Sequence, residues 1–234
     1  MNLQVCAPYE KCVFNCPMCV AKGHKHNYKF KNLYQDNPDK YLVSLLRTTE
    51  EQDIGNIVIT GECDPTQNMR FVKDIIAFGQ ENHIITELQT HNYNVNVGEL
   101  FGLDVLSYSI TNVKGYLRAH KFGKINGINR LVILLTKEFD FLNKDNFNPM
   151  GFKQITFKTL QHGEDEQINK WIDENKLQDL SKIYEIVDHY NGTDTSVRID
   201  TSCQTAKGRY FVFRSDGQLY ESWEAQNPSY IRKE

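Results

Sequence analysis

The chain has 234 residues, 40% hydrophobic and 24% charged, so it is long enough to bury a sizeable core and has the composition of a globular protein. A net charge of −3 excludes a surface that grips nucleic acid all over. The opening Asn2-Leu3-Gln4-Val5-Cys6 has neither the basic start nor the apolar stretch of a signal peptide, and no run approaches the roughly 18 apolar residues of a membrane helix. A cytoplasmic protein with no membrane segment is therefore expected.

The first apolar run, Leu3 to Ala7, predicts a strand. It is followed by "CVFNCPMCVAKGHKH", in which three of the six cysteines fall within eight residues at Cys12, Cys16 and Cys19. In a reducing compartment such a cluster predicts a metal site rather than a disulfide framework. Loop thiolates spaced four and three residues apart can converge on one centre, and thiolate-rich sites select zinc or iron-sulfur clusters. A cube of four irons held by only three cysteines leaves one iron open. Structural zinc is the alternative, with Cys6, His24 or His26 as fourth ligand. Lys22, His24, Lys25, His26, Lys29 and Lys31 then make a basic loop suited to an anionic substrate such as a nucleotide. Lys114, Arg118, His120, Lys121 and Lys124 form a second basic patch.

In "NPDKYLVSLLRTT", Asn37 can cap a helix, Pro38 suits its first turn, and Leu42, Leu45 and Leu46 share a face. The run Asn56 to Thr60 is a second strand, and "TQNMRFVKDIIAFGQENH" a second helix with Met69, Val72, Ile75 and Ile76 inward. Further strands are expected at Ile84 to Gln89, Val105 to Ile110, Arg130 to Thr136 and Gln154 to Leu160. Several are nearly continuous in Val, Ile and Leu, as parallel strands covered by helices are. The rhythm is β-α, so the fold class is α/β with a mostly parallel sheet. Beyond the sixth strand, 163–192 reads as one or two amphipathic helices, ended by Asn191-Gly192. Two β-rich runs around Ser215-Asp216-Gly217 then predict a hairpin. Residues 1–162 form the expected core, and 163–234 an extension packed on it. Cys6 and Cys63 are expected to be buried, Asp216 to serve the hairpin turn, and Arg214 and Trp223 to pack in that hairpin.

The C-x3-C-x2-C spacing in the loop after the first strand resembles the radical S-adenosylmethionine (SAM) family. Thr60-Gly61-Glu62, at the end of the second strand, is similar to that family's Gly-Gly-Glu-like motif, one glycine short. The resemblance implies a partial (β/α)6 TIM-like barrel, with the C-terminal helix and β-hairpin as an extension. It implies that Cys12, Cys16 and Cys19 hold a 4Fe-4S cluster whose fourth iron binds SAM, which one electron cleaves to give a 5'-deoxyadenosyl radical. It further implies that Gly61, Glu62, Thr90, Ser109, Asn129 and Arg130 contact SAM, with His91 and Asn92 also lining the site. A flavodoxin or ferredoxin would donate the electron. The three remaining cysteines, Cys6, Cys63 and Cys203, are too scattered for a second cluster. The substrate stays open between an anionic small molecule, a peptide, and a glycyl radical enzyme to be activated. From another class, a zinc-stabilised binding module would show no SAM affinity. No catalytic residue beyond the cluster and SAM site is indicated.

Overall fold

The computed structural model describes residues 2–8, 12–14, 16, 31–61, 63–134, 139, 148, 150–158, 196–200, 210–223, 225 and 228. Cys19, Glu62, Cys203, the basic loop up to Phe30, and the expected helices of 163–192 lie outside the described residues. The chain divides into two compact units: Met1–Asn92 with Gly98–Asp104 and Lys207–Glu234, and Tyr93–Val97 with Val105–Ala206.

The first unit is built on β1 (Asn2–Cys6), β2 (Asn56–Thr60), β3 (Ile85–Thr90), β8 (Tyr210–Phe213) and β9 (Leu219–Tyr220). Strand order there is β3-β2-β1-β8-β9. β1 runs parallel to both β2 and β8, β2 runs parallel to β3, and β9 alone returns antiparallel. Leu3, Val5, Ile57, Ile59 and Leu88 are fully buried, which is what a helix-covered face requires.

Three helices supply that cover: α1 (Leu33–Asp36), α2 (Pro38–Glu51) and α3 (Met69–Glu81). Asn37 caps α2 as expected, its side chain accepting from the Lys40 amide at 2.9 Å, with Pro38 in the first turn. The buried stripe of α2 is Tyr41, Leu45, Thr48 and Thr49; Leu42 and Leu46 are only half-buried. Tyr41 takes the stripe because its ring packs edge-on against Tyr34, Phe71 and Phe213. On α3, Phe71, Val72, Ile75 and Ile76 are buried, while Met69 is half-buried. Tyr34 donates to Asp74 at 2.6 Å, and burial, reinforced by that bond, pushes its phenol well above the usual range.

Gly79 lets α3 turn tightly into β3. A methyl there would collide with the Thr86 side chain and stand 2.9 Å from the Ile84 carbonyl oxygen. Gly79→Ala gains about 1 kcal/mol of helix propensity, and overpacking costs about 1–3 kcal/mol. The expected outcome is a net loss of about 1 kcal/mol in urea unfolding, because backbone cannot yield as a side chain can. A midpoint at or above that of the unmodified protein would show that the turn gives way.

The second unit orders β7 (Ser196–Asp200), β6 (Gln154–Lys158), β5 (Ile128–Leu134) and β4 (Val105–Ile110) in one sheet, all neighbours parallel. Helix α4 (Val113–Arg118) follows β4, capped by Asn112, which accepts from the Gly115 amide at 2.8 Å. Tyr108 anchors the core here: it donates to the Gly123 carbonyl at 2.9 Å and packs on Phe122 and Phe152.

The pattern of local propensity anticipates β2 and β4 to the residue. Two features differ. Strand β7, "SVRID", is no shorter than β1 or β2 but is too polar to announce itself. The hairpin, expected to pack on the core, does more than pack: its first strand joins the sheet, pairing in parallel with β1 beside the first residues of the chain.

Candidate functional site

In a parallel α/β sheet, ligands bind beyond the carboxyl ends of the strands. In the first unit that edge carries the segments after β1, β2 and β3. Cys12 and Cys16 lie in the segment after β1, both half-buried. Cys19, the third expected ligand, lies outside the described residues, and among the described residues no group of three His, Cys, Asp or Glu is gathered for a metal. Cys6 instead belongs to a small apolar cluster with Val212 and Tyr220, covered by Tyr210, Trp223 and Ala225, and is 5% exposed.

Behind the carboxyl edge sits Asp64, 6% exposed. Its carboxylate accepts from the Thr66 amide at 3.0 Å and the Thr66 hydroxyl at 2.7 Å, capping the short helix Pro65–Gln67. It also accepts from the Thr90 hydroxyl at 2.9 Å and the His91 amide at 2.6 Å. Thr90 in turn accepts from the Asn92 amide at 2.8 Å, and the Asn92 side chain donates to the Thr66 hydroxyl at 3.1 Å. One buried carboxylate thus binds the end of β2 to the end of β3. Sequence reasoning passed over Asp64, although an Asp before Pro at a helix start is a capping signal.

Thr90, an expected SAM contact, is 2% exposed, with its hydroxyl engaged by Asp64 and the Asn92 amide. His91 differs. Its ring Nε2 is buried and has no hydrogen-bond partner among the described residues. Burial pushes its imidazole below the ordinary value, with Asp64 opposing more weakly. A histidine held neutral in this way binds fewer protons folded than unfolded. Its contribution to stability is therefore complete above the unfolded value of about 6.5 and is lost as pH falls through and below it. His91→Phe is expected to flatten the loss of thermal stability between about pH 7 and pH 5. Melting temperatures of the two proteins across that range check it, and parallel curves would remove His91 as the cause.

No protein-family model matches the chain, and no curated protein matches it. Among solved structures, the crystal structure of Streptococcus suis SuiB bound to S-adenosylmethionine aligns at a TM-score of 0.60 and 10% identity. The match covers 97% of this chain and 60% of that one, so the chain spans under two thirds of SuiB's length. The likeness shows a shared fold. The fold is the α/β class with a mostly parallel sheet, of the partial TIM-like type, expected from the sequence.

Of the other expected contacts, Gly61 follows β2 immediately. A Cβ there would stand 3.2 Å from the Ala7 amide nitrogen and 3.2 Å from the Cys63 carbonyl oxygen, so the bare glycine lets two backbones run close. Glu62 lies outside the described residues. Ser109 is the one half-buried position on β4, and its carbonyl accepts from Tyr93 Oη at 3.0 Å.

Asn129 and Arg130 lie at the other edge of their sheet, where β5 begins. Asn129 is 5% exposed; its side chain accepts from the Ile125 amide and donates to the Ile125 carbonyl, both at 2.9 Å. Arg130 donates through Nε to Gln154 at 2.9 Å. These bonds brace the loop before β5 and its pairing with β6 at the amino edge. A residue's place at the start of a strand is readable from the sequence, but which edge ligands use follows from strand direction.

Arg214 and Asp216 pack as expected. Arg214, 2% exposed, donates to the Trp223 carbonyl at 2.6 Å and lies over the Tyr220 ring. Asp216 accepts from the Gln218 amide at 3.0 Å and from Tyr220 Oη at 2.6 Å. Among the described residues no helix is long and apolar enough to cross a membrane.

Proposed function

We propose that the chain is a radical SAM enzyme in which Cys12, Cys16 and Cys19 ligate a 4Fe-4S cluster. The observation that carries this reading is one of position. A C-x3-C-x2-C loop follows β1 in a fold shared with a protein solved with SAM bound. The donor set suits the group: Cys12 and Cys16 are half-buried in the segment after β1, and thiolate-rich sites favour iron-sulfur clusters. When bound, the cluster supplies the electron that cleaves SAM to methionine and a 5'-deoxyadenosyl radical.

The chain's own residues bind and orient. Gly61 permits close approach at the end of β2, where Glu62 would accept from the SAM ammonium group. His91 Nε2, buried and without a partner among the described residues, is the polar atom at the end of β3 that gains most from a ligand hydrogen bond, since an unmet buried group costs about 1–3 kcal/mol. Thr90 holds the turn in which His91 stands. Ser109 remains a proposed SAM contact from the resemblance alone. The basic run from Lys22 to Lys31 favours an anionic substrate, a nucleotide being the first class to try, and a flavodoxin or ferredoxin would reduce the cluster.

The test is anaerobic reconstitution with iron and sulfide, followed by electron paramagnetic resonance of the dithionite-reduced protein with and without SAM. A reduced-cluster signal that SAM perturbs is the expected result. A colourless protein holding one zinc, with no response to SAM, would overturn the reading.

A further inference from the structure

The segment after β2 runs alongside the segment after β1 and is joined to it at successive points. The Ala7 amide donates to the Thr60 carbonyl at 2.7 Å. Gly61 lies against the backbone of Ala7. The buried Cys63 thiol donates to the Pro8 carbonyl at 3.4 Å. The Val13 amide, next to Cys12, donates to Gln67 Oε1 at 3.1 Å. The order is the same on both sides: 7, 8 and 13 meet 60, 63 and 67.

The far side of this second segment is itself held. The Gln67 amide donates to the Asp64 carbonyl at 3.1 Å, and the Asp64 carboxylate is bound to Thr66, Thr90 and the His91 amide. Gln67 therefore stands on a short helix that the ends of both β2 and β3 locate. Val13, by contrast, is 71% exposed, so its side chain contributes little packing to keep Cys12 in place.

We propose that Thr60, Gly61, Cys63 and Gln67 act as a splint for the backbone at Ala7, Pro8 and Val13, with Gln67 the positioning residue that fixes the backbone beside Cys12 through the Val13 amide. The inference rests on the reading of Cys12 as a cluster ligand, and extends it to a residue that never touches the cluster. Gln67 works by pre-ordering the loop, so that less freedom remains to be lost when the thiolates close on iron. Cys63 serves the same splint from its buried side, which gives that cysteine a task distinct from metal ligation.

Two measurements separate this inference from the reading beneath it. In the apoprotein, hydrogen exchange of the Val13 amide by nuclear magnetic resonance reports the tether itself. Gln67→Ala should speed it about three- to tenfold, the change expected for loss of one ordinary hydrogen bond, while Gln67→Glu, which keeps the acceptor oxygen, should restore slow exchange. An exchange rate that Gln67→Ala leaves unchanged overturns the splint whatever the loop binds. In the reconstituted protein, loss of iron to a chelator should quicken in Gln67→Ala and not in Gln67→Glu. Equal rates in all three proteins overturn the positioning role, and a chain that takes up no cluster overturns the reading it rests on while leaving the exchange result intact.

Discussion

Cys16→Ala is expected to leave the apoprotein folded and to abolish both cluster uptake and release of 5'-deoxyadenosine. The asymmetry follows from where the residue sits. Cys16 is half-buried in a loop outside the apolar core, so truncation leaves no large cavity, and a stability change within about 0.5 kcal/mol is anticipated. The proposed metal site has no such reserve. Three thiolates are the whole protein donor set proposed for the cluster, and losing one leaves two bonds to hold it. Cys6→Ala supplies the contrast. That thiol packs with Val212 and Tyr220, so its loss should lower stability by about 1 kcal/mol and leave the cluster signal intact. Iron content, the visible absorption of the reconstituted proteins and 5'-deoxyadenosine release decide the matter. A Cys16→Ala protein that still held a full complement of iron and cleaved SAM would sink the assignment of the ligands.

Asp64→Ala carries the largest expected cost in stability, about 3–5 kcal/mol. Removal of the carboxylate strands the Thr90 hydroxyl and the His91 amide, both of which bond to it at 2.9 Å or less, and uncaps the helix at Thr66. Each buried donor left without a partner costs about 1–3 kcal/mol, and the lost cap about 1 kcal/mol. Against a typical total of about 5–15 kcal/mol, this change brings the protein close to unfolding at ordinary temperatures. Asp64→Asn should fare better, since it keeps one acceptor oxygen but turns an NH2 group toward groups that are themselves donors. Urea unfolding of the two variants checks the ranking. A loss under about 1 kcal/mol for the alanine variant would mean that water satisfies the stranded groups.

Most of the described architecture is legible in the sequence. "NIVIT" and "VLSYSI" are strands at the expected residues because β-branched and aromatic runs bounded by polar turns have few other ways to be buried. Asn37-Pro38 announces α2 because cap and first turn are local, needing only neighbouring backbone to act. The cysteine spacing is likewise local and readable without the fold, although its place after β1 in the shared fold is what carries the proposed function.

What sequence could not supply is anything that depends on partners distant along the chain. The pairing of Tyr210–Phe213 with β1 joins residues some two hundred positions apart, and no local pattern encodes it. Asp64 reads as a cap for Pro65; only the arrival of β3 beside β2 turns it into the anchor for Thr90 and His91. Asn129 and Arg130, expected as ligand contacts from their place at the opening of a strand, stand at its amino edge with bonds to Ile125 and Gln154, partners that only the fold brings to them. The sequence by itself determined most of the described strands and helices and supplied the cysteine spacing on which the proposed metal chemistry rests, because propensity, capping and ligand spacing act over a few residues. Tertiary structure alone decided which polar groups bond to each other, because a hydrogen bond is set by proximity in space, and long-range proximity is the product of the whole fold.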